Sequence, residues 1–348
     1  MIQILRRILF CLLIVISFRS YGQLASLPFG IKLCGPEFGQ EKFPGAYGVD
    51  FIYPNKTELV YFYSKGFRLI DLPFRWERIQ PILGEALDSS EWNRLDSFLL
   101  SCDSLGLVVK LTLQNFGRYH LNGKEHVIGS PEVPVKYLED VWKRIALKCS
   151  DKNNLYGFQI MNEPHDMKEV PWFEIAQKTI HAIRTVNKIH AIFVSGDNYS
   201  NSVDWKLNNP NLKDLVDSCN NLVYEAHCYF DKDFTGQYLS RTGTTLKAYE
   251  HNAIGVKTGV QAIKPFVKWL NKYHKKGFVG EYGVPDDDPR WLPMLDKFLQ
   301  YISDNSVNGA YWAAGPWWGE YRLSVEPREG KDRPQMLVLE KYLYSGKE

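Results

Sequence analysis

Two glutamates follow apolar runs at points where a β-strand would end. Glu163 comes after residues 158–161 and precedes Pro164, and Glu281 follows residues 277–280 in the same way. A facing pair of carboxyl groups suits cleavage of a glycosidic bond, because one protonates the leaving oxygen while the other attacks the anomeric carbon or activates water. A separation of about 5 Å would retain the configuration, and one of roughly 6.5–9.5 Å would invert it. Alone, two such glutamates are weak evidence, since surface glutamates are common.

The elements that must position these residues alternate along the chain. Eight apolar runs predict strands, several of them continuously apolar as strands buried on both faces are, at residues 29–34, 68–72, 107–113, 156–161, 191–195, 222–227, 278–280 and 310–313. Helical patterns lie between them at residues 56–65, 90–105, 134–149, 172–187, 265–275 and 291–304. This alternation in one chain of 348 residues predicts a single α/β domain, a (β/α)8 TIM barrel.

Reacting groups in such barrels lie at the C-terminal ends of the strands. Polar and aromatic residues interrupt most of the predicted strands near those ends, which a purely structural barrel would not need. They are Asp71, Gln114, Asn115, Asn162, Glu163, Asp197, Asn198, Glu225, His227, Glu281, Tyr282 and Trp312. The sequence therefore predicts an active site assembled from nearly every strand.

The first 22 residues have the pattern of a secretory signal peptide. Arg6 and Arg7 precede an apolar run over residues 8–18, and Ser20-Tyr21-Gly22 offers small residues for cleavage. An uncleaved N-terminal anchor is the alternative reading. The prediction is a leader over residues 1–22 and a catalytic domain over residues 23–348, secreted or periplasmic, with no membrane contact after cleavage.

Charge and cysteine usage exclude several other classes. The formal charge is only +2 and no basic block stands out, so nucleic acid and anionic membrane surfaces are not expected partners. Beyond the leader lie five cysteines, an odd number without metal-ligand spacing. They are expected to be buried free thiols, with Cys219 and Cys228 as one candidate disulfide pair.

A set of longer motifs is more specific than the glutamates alone. In chain order they read Cys34-Gly35-Pro36-Glu37-Phe38-Gly39, Leu72-Pro73-Phe74-Arg75-Trp76-Glu77-Arg78, Asn115-Phe116-Gly117-Arg118-Tyr119, Asn162-Glu163-Pro164-His165, Tyr224-Glu225-Ala226-His227-Cys228-Tyr229, Gly280-Glu281-Tyr282-Gly283, Tyr311-Trp312-Ala313-Ala314-Gly315-Pro316-Trp317-Trp318 and Asp332-Arg333-Pro334-Gln335. Together they resemble glycoside hydrolase family 5, which contains many endo-β-1,4-glucanases, and the resemblance spans nearly the whole chain after the leader.

The resemblance implies a retaining mechanism without metal or cofactor. Glu163 matches the acid/base and Glu281 the nucleophile. Asn162 would hold the 2-hydroxyl of the sugar, His227 would hydrogen-bond near the acid/base carboxyl, and Tyr229 would lie close to the nucleophile. Trp312 matches the tryptophan beneath the sugar that is attacked. Further substrate contacts are expected from Gln114, Asn115, Asp71, Tyr119 and Trp317, and Tyr199 and Trp318 could extend the aromatic platform.

Two positions depart from the family's pattern. Asp71 occupies the place of an arginine that supports the nucleophile, and Gln114 stands where a histidine helps to hold the sugar. If Asp71 faced Glu281 closely, repulsion would raise the pKa of one of the two carboxyls. Three explanations compete: a pocket for a sugar other than glucose, a cation such as Lys110 or Arg75 that compensates Asp71, or a site that has lost activity.

The resulting prediction is a monomeric hydrolase that cleaves a β-linked polysaccharide or its oligosaccharides. An endo-β-1,4-glucanase is favoured by the flanking motifs, while mannan, xyloglucan and microbial exopolysaccharides remain alternative substrates. Two other functions stay open, namely a catalytically silent carbohydrate-binding barrel and an exo-acting glycosidase on short oligosaccharides.

Overall fold

A closed barrel of eight parallel strands forms the centre of the fold. The computed structural model describes residues 29–238 and 255–343, so the predicted leader lies outside the described residues. The barrel strands are β1 (Gly30–Leu33), β2 (Leu69–Phe74), β3 (Val108–Leu113), β6 (Leu155–Gln159), β7 (Ala191–Ser195), β8 (Leu222–His227), β9 (Lys276–Tyr282) and β10 (Asn308–Ala314). Around the barrel the order is β1, β10, β9, β8, β7, β6, β3 and β2. The predicted (β/α)8 barrel is confirmed.

Helices surround the barrel between successive strands. They are α1 (Lys56–Ser64), α2 (Trp76–Ile79), α3 (Ser89–Ser104), α4 (Val135–Lys148), α5 (Trp172–Arg184), α6 (Trp205–Asn208), α7 (Thr258–Tyr273), α8 (Trp291–Asp304) and α9 (Met336–Leu339). Local sequence sets their starts. Asn55 and Glu58 form a capping box before α1, and the Asp88 side chain accepts a hydrogen bond from the Glu91 backbone N–H to begin α3.

Helix α7 differs from the sequence prediction. The pattern predicts a helix that begins at Pro265, whereas the structure begins it at Thr258 and holds Pro265 inside. Proline lacks an N–H and disfavours a helix interior. Here, residues on either side of it, among them Ile263 and Phe266, are buried against the barrel, so burial of that face outweighs the local preference.

A two-stranded hairpin, β4 (Arg118–Leu121) with β5 (Lys124–Val127), lies outside the barrel after β3. Its turn is Asn122-Gly123, and both residues have positive φ, 52° and 73°. This dipeptide is a strong hairpin signal, because asparagine and glycine tolerate the left-handed conformation. The sequence analysis did not use it.

The barrel interior contains a row of alternating charges. Lys32 on β1, Asp71 on β2 and Lys110 on β3 are neighbours in register, and all three are fully buried. The ammonium of Lys110 lies 2.8 Å from a carboxylate oxygen of Asp71 and 2.9 Å from one of Glu225. Thr112 also donates to Asp71. Lys110 thus compensates Asp71, which was one of the three explanations for its presence.

Removing the charge of Lys110 should destabilise the barrel strongly. A Lys110→Met variant leaves two buried carboxylates without their shared cation, so we expect a loss of about 3–5 kcal/mol in the free energy of unfolding. Urea denaturation followed by far-UV circular dichroism measures it. The control is Lys341→Met, whose ammonium pairs with Asp296 at 3.2 Å on the surface and is 56% exposed. If both variants shifted the urea midpoint equally, the buried network would not stabilise the fold.

The described cysteines are all free. Cys34, Cys102, Cys149 and Cys228 are buried and Cys219 is partly buried. The candidate pairing of Cys219 with Cys228 is therefore wrong, and the expectation of buried free thiols holds for four of the five. Among the described residues, no helix has the length and apolar character needed to span a membrane.

Candidate active site

The two glutamates meet at the C-terminal end of the barrel. Glu281 lies within β9, and Glu163 follows β6 in the left-handed conformation, with φ 46°. The backbone N–H of Asn162 donates to the carbonyl of Leu113 at 2.7 Å, which ties this segment to the end of β3. The neighbouring strands thus direct both carboxyl groups to one point.

His227 links the two carboxyl groups. Its Nδ1 lies 2.7 Å from Oε1 of Glu163 and 3.4 Å from Oε2 of Glu281. One carboxylate oxygen from each glutamate and one ring nitrogen of His227 all lie within 4.8 Å of one another. This short separation leaves no room between the carboxyl groups for the water that an inverting hydrolase requires. It fits a mechanism in which one carboxylate attacks the sugar directly.

Glu281 is held as a carboxylate. Lys32 donates to its Oε1 at 2.7 Å, and the hydroxyl of Tyr229 donates to its Oε2 at 2.8 Å. Burial acts to raise the pKa of Glu281, but the charges of His227 and Lys32 outweigh it and hold that pKa at about 2. A nucleophile must be ionised, and this environment ensures it.

The surroundings of Glu163 favour its protonated form. Burial and the neighbouring charge of Glu281 raise the pKa of Glu163 above its usual range. Burial alone would lower the pKa of His227, yet the charges of Glu281 and Glu163 and hydrogen bonds raise it to about 9. The pKa values of the two glutamates are therefore shifted in opposite directions, as the pairing of an acid with a nucleophile requires.

The same three side chains are close enough together to hold a divalent cation. The raised pKa of His227 keeps a proton on its ring, and the Lys32 ammonium already lies against Glu281. A metal ion would have to displace both positive charges, so the arrangement suits proton transfer better, and we assign no metal to it.

Comparison with known proteins identifies this arrangement. The model of the family described as Cellulase (glycosyl hydrolase family 5) matches residues 32–317. The chain belongs to glycoside hydrolase family 5. It is accordingly an O-glycosyl hydrolase of the retaining, two-carboxylate type.

Relatives and solved structures cover nearly all of the chain. Endo-beta-1,4-glucanase B of Emericella nidulans is 30% identical over 320 residues, which is 90% of this chain and 91% of the relative. The endoglucanase Cel5A of Pseudomonas stutzeri, solved in complex with cellobiose, is 39% identical with a TM-score of 0.84, covering 90% of this chain and 92% of that one. XacCel5A, solved in complex with cellopentaose, is 34% identical with a TM-score of 0.82, covering 91% and 99%.

Lys32 is the site residue that the sequence analysis missed. Its ammonium donates to Glu281 and, at 3.1 Å, to Oδ1 of Asn162. It supplies from β1 the positive charge that the family resemblance places on β2. A lysine inside the apolar run 29–34 was the available signal, because a charge in a strand buried on both faces requires a buried partner.

Asp71 does not contact the cleft. Its carboxylate is fully buried and bound by Lys110 and Thr112. The prediction that Asp71 binds substrate is contradicted by this placement. Lys32 is the neighbour of Asp71 in register, and it is Lys32 that contacts Glu281. Glu281 is therefore attracted by the ammonium of Lys32 and is not repelled by a contact with the carboxylate of Asp71.

Two further predicted sugar contacts are occupied by the protein itself. Asn115 accepts a hydrogen bond from the backbone N–H of Trp76 and donates to Glu77, so it braces the loop after β3. Tyr119 is 1% exposed, and its hydroxyl donates to the carbonyl of Gln80 at 2.9 Å. The predicted substrate contacts of Asn115 and Tyr119 are contradicted, because their polar groups point into the loop structure.

The aromatic residues near the site divide into two groups. Trp312 is partly buried, donates from its indole to the Tyr321 hydroxyl at 2.9 Å, and packs edge-on against Trp318. Trp317 is 49% exposed. On the other side, Tyr199 is also exposed and stacks on His165 with 3.9 Å between ring centroids. The Nδ1–H group of His165 donates to the backbone carbonyl of Glu163 at 3.1 Å, so this pair flanks Glu163.

Proposed function

We propose that the chain is a secreted or periplasmic, monomeric hydrolase of β-linked glucan, similar to endo-β-1,4-glucanases, with Glu163 as acid/base and Glu281 as nucleophile. The observation that carries this assignment is the pair of glutamates joined by His227 within 4.8 Å, with pKa values shifted in opposite directions. In the first step Glu163 protonates the glycosidic oxygen while Glu281 attacks the anomeric carbon. In the second step Glu163 takes a proton from a water molecule while the water oxygen attacks the anomeric carbon, which breaks the bond to Glu281 and frees its carboxylate.

Asn162 is the proposed contact to the 2-hydroxyl of the sugar. Its Oδ1 accepts from Lys32, which leaves Nδ2 as the free donor of the amide. Among the described residues, this buried Nδ2 has no hydrogen-bond partner. An unsatisfied buried donor costs free energy, and a sugar hydroxyl would satisfy it. The contact would strengthen as charge develops at the neighbouring anomeric carbon.

Gln114, His227, Tyr229, Trp312 and Trp317 are the other proposed contacts. Gln114 is buried, and its Oε1 likewise lacks a partner among the described residues, so it can accept from a sugar hydroxyl. Trp312 offers an aromatic face beneath the sugar, and its position is fixed by Tyr321 and Trp318. Trp317 extends this surface towards the solvent.

The relatives support β-glucan as the substrate class. Relatives that match 90% of this chain, such as the protein of Emericella nidulans, are named endo-beta-1,4-glucanase B, and two solved relatives hold cellobiose or cellopentaose. The replacement of the family's arginine by Asp71 was the main reason to consider a catalytically silent binding barrel. Lys32 now provides the positive charge beside Glu281 that Asp71 cannot provide, so this reason no longer applies. The leader predicted over residues 1–22 supports a location outside the cytoplasm.

Reducing-sugar release tests the proposed substrate. The protein from Gln23 onward is incubated with carboxymethyl cellulose, barley β-glucan, mannan, xylan and xyloglucan, and products are sized by chromatography. We expect release from the β-glucans with a spread of short oligosaccharides. Release only from mannan or xyloglucan would reject glucan as the substrate, and accumulation of a single small product from the outset would reject endo action.

Loss of the Trp312 face should weaken catalysis without unfolding the protein. Stacking covers roughly 100 Å² of apolar area, worth about 2.5 kcal/mol, so Trp312→Ala should lower kcat/KM on β-glucan by roughly 50–100-fold. The control is Tyr63→Ala on α1, which removes an exposed aromatic ring outside the barrel. Equal kcat/KM values for the two variants would remove Trp312 from the sugar site.

A further inference from the structure

One buried lysine touches two groups of the reaction centre. The Lys32 ammonium donates to Oε1 of Glu281 at 2.7 Å and to Oδ1 of Asn162 at 3.1 Å, and the side chain is 0% exposed. It also lies 5.5 Å from the centre of the Trp312 ring. No water can take over these contacts, because the ammonium is enclosed by the barrel.

We propose that Lys32 is a positioning residue that fixes the nucleophile carboxylate of Glu281 and the amide orientation of Asn162 with a single ammonium group. The inference rests on the proposed roles of Glu281 and Asn162 and adds a role for a residue of β1. An ammonium group only donates hydrogen bonds, so it selects the oxygen of the Asn162 amide and turns Nδ2 away. Nδ2 is therefore presented to the sugar.

Lys32 is kept charged by its neighbours within the barrel. The groups that face its ammonium are Glu281 on β9, Asp71 on β2, Glu225 on β8, Asn162 after β6 and the ring of Trp312 on β10. Burial alone would lower the pKa of Lys32, but the three carboxylates raise it well above its usual range. Asp71 thereby has a function in this site even though it does not reach the cleft, because it is an anion for both Lys32 and Lys110.

The charge of Lys32 should set the pH range of activity. The titratable groups that interact with Glu281 are Lys32, Cys34, Glu163, His227, Tyr229 and Tyr321. Lys32 and His227 lower the pKa of Glu281. Removal of Lys32 therefore raises this pKa, and the nucleophile ionises only at a higher pH. Lys32 also lowers the pKa of Glu163 slightly. In the absence of Lys32, both the acidic limb and the basic limb of the pH profile should thus move to higher pH.

The experiment compares wild type with Lys32→Met and Lys32→Gln. The acidic limb is followed on dinitrophenyl β-cellobioside, and the basic limb is followed on carboxymethyl cellulose, whose leaving group needs the acid. Lys32→Met removes the charge and the donor, while Lys32→Gln removes the charge alone and is the second variant should the first not fold. We expect kcat/KM to fall about 10²–10³-fold, mainly through kcat. The acidic limb should rise by about one pH unit or more. A folded variant with unchanged limbs and unchanged kcat would overturn the proposal.

Two readouts separate Lys32 from the proposed function itself. The ¹³C carboxyl resonance of Glu281, assigned by its absence in Glu281→Gln, should titrate at higher pH in Lys32→Met, and this needs no substrate. If the resonance moves while no β-glucoside is cleaved by wild type, the substrate assignment fails and the inference about the carboxylate stands. If wild type is active and the resonance is unmoved, Lys32 does not control Glu281.

The role towards Asn162 has its own test. In wild type the ratio of kcat/KM between dinitrophenyl β-cellobioside and its 2-deoxy analogue reports the contribution of the 2-hydroxyl, and the intrinsic reactivities cancel when variants are compared. In Lys32→Met the amide of Asn162 is no longer oriented by the ammonium. This ratio should therefore fall by about tenfold or more, which corresponds to the free energy of one hydrogen bond to a charged group. An identical ratio in both proteins would show that Lys32 does not orient Asn162.

Discussion

The Glu281→Gln variant should lose about 10⁴–10⁶-fold of its kcat on β-glucan while it keeps the wild-type fold. Glutamine has nearly the same shape, and its amide oxygen can accept from Lys32 while its NH2 group donates to the Tyr229 hydroxyl, but the amide is not a nucleophile. Reducing-sugar release measures the loss, and circular dichroism checks the fold. The control is Glu174→Gln in the first turn of α5, an exposed carboxylate that should leave kcat unchanged.

Azide, a small external nucleophile, tests from which side of the sugar the residue at position 281 acts. Glu281→Gly leaves space for azide to attack the anomeric carbon of dinitrophenyl β-cellobioside as dinitrophenolate departs. The product should be the α-glycosyl azide, because azide replaces the missing carboxylate on the same side. A β-glycosyl azide would mean that Glu281 lies on the leaving-group side, which contradicts its assignment as nucleophile.

Glu163→Gln should produce a loss that depends on the leaving group. The leaving group from a polysaccharide is a sugar hydroxyl, which must be protonated as it departs. Cleavage of the polysaccharide should therefore slow by about 10²–10⁴-fold without a proton donor. Dinitrophenolate needs no proton, so the first step on dinitrophenyl β-cellobioside should remain within about tenfold of wild type. Pre-steady-state release of dinitrophenol measures that step, and turnover on carboxymethyl cellulose measures the other.

The pH profile provides the control for Glu163. The neighbouring Glu281 charge and burial raise the pKa of Glu163, so in wild type the acid is lost as pH rises through that raised value. The basic limb of kcat/KM on carboxymethyl cellulose should therefore disappear in Glu163→Gln, whereas kcat/KM on the dinitrophenyl substrate, whose leaving group needs no proton, should not depend on this acid. Equal losses on both substrates, with the basic limb intact, would assign the proton transfer to another group.

The barrel and its two glutamates could be predicted because their signals are local. Each barrel strand is a short apolar run, and the carboxyls follow such runs at Glu163 and Glu281. The helix that holds Pro265 could not be bounded locally, since burial of its apolar face against the barrel overrides the proline signal. The Asn122-Gly123 hairpin had a local signal that was left unused.

The contacts inside the barrel could not be predicted, because they join distant parts of the chain. Lys32 and Glu281 are 249 positions apart, and only closure of the barrel through β1 and β10 brings them together. Asp71 was placed in the cleft by analogy with the arginine of the family. The structure instead surrounds it with Lys110 and Thr112, since a buried carboxylate takes the nearest cation and donor. Position in a motif did not reveal which layer of the barrel a side chain occupies.

Trapping of the covalent intermediate tests whether Glu281 is the nucleophile. The protein is incubated with dinitrophenyl 2-deoxy-2-fluoro-β-cellobioside, whose fluorine slows both steps while its good leaving group permits the first, and the labelled protein is digested and mapped by mass spectrometry. We expect one fluorocellobiosyl group per protein, attached to Glu281. A label on Glu163, or an unlabelled protein that hydrolyses β-glucan with inversion of configuration, would contradict it.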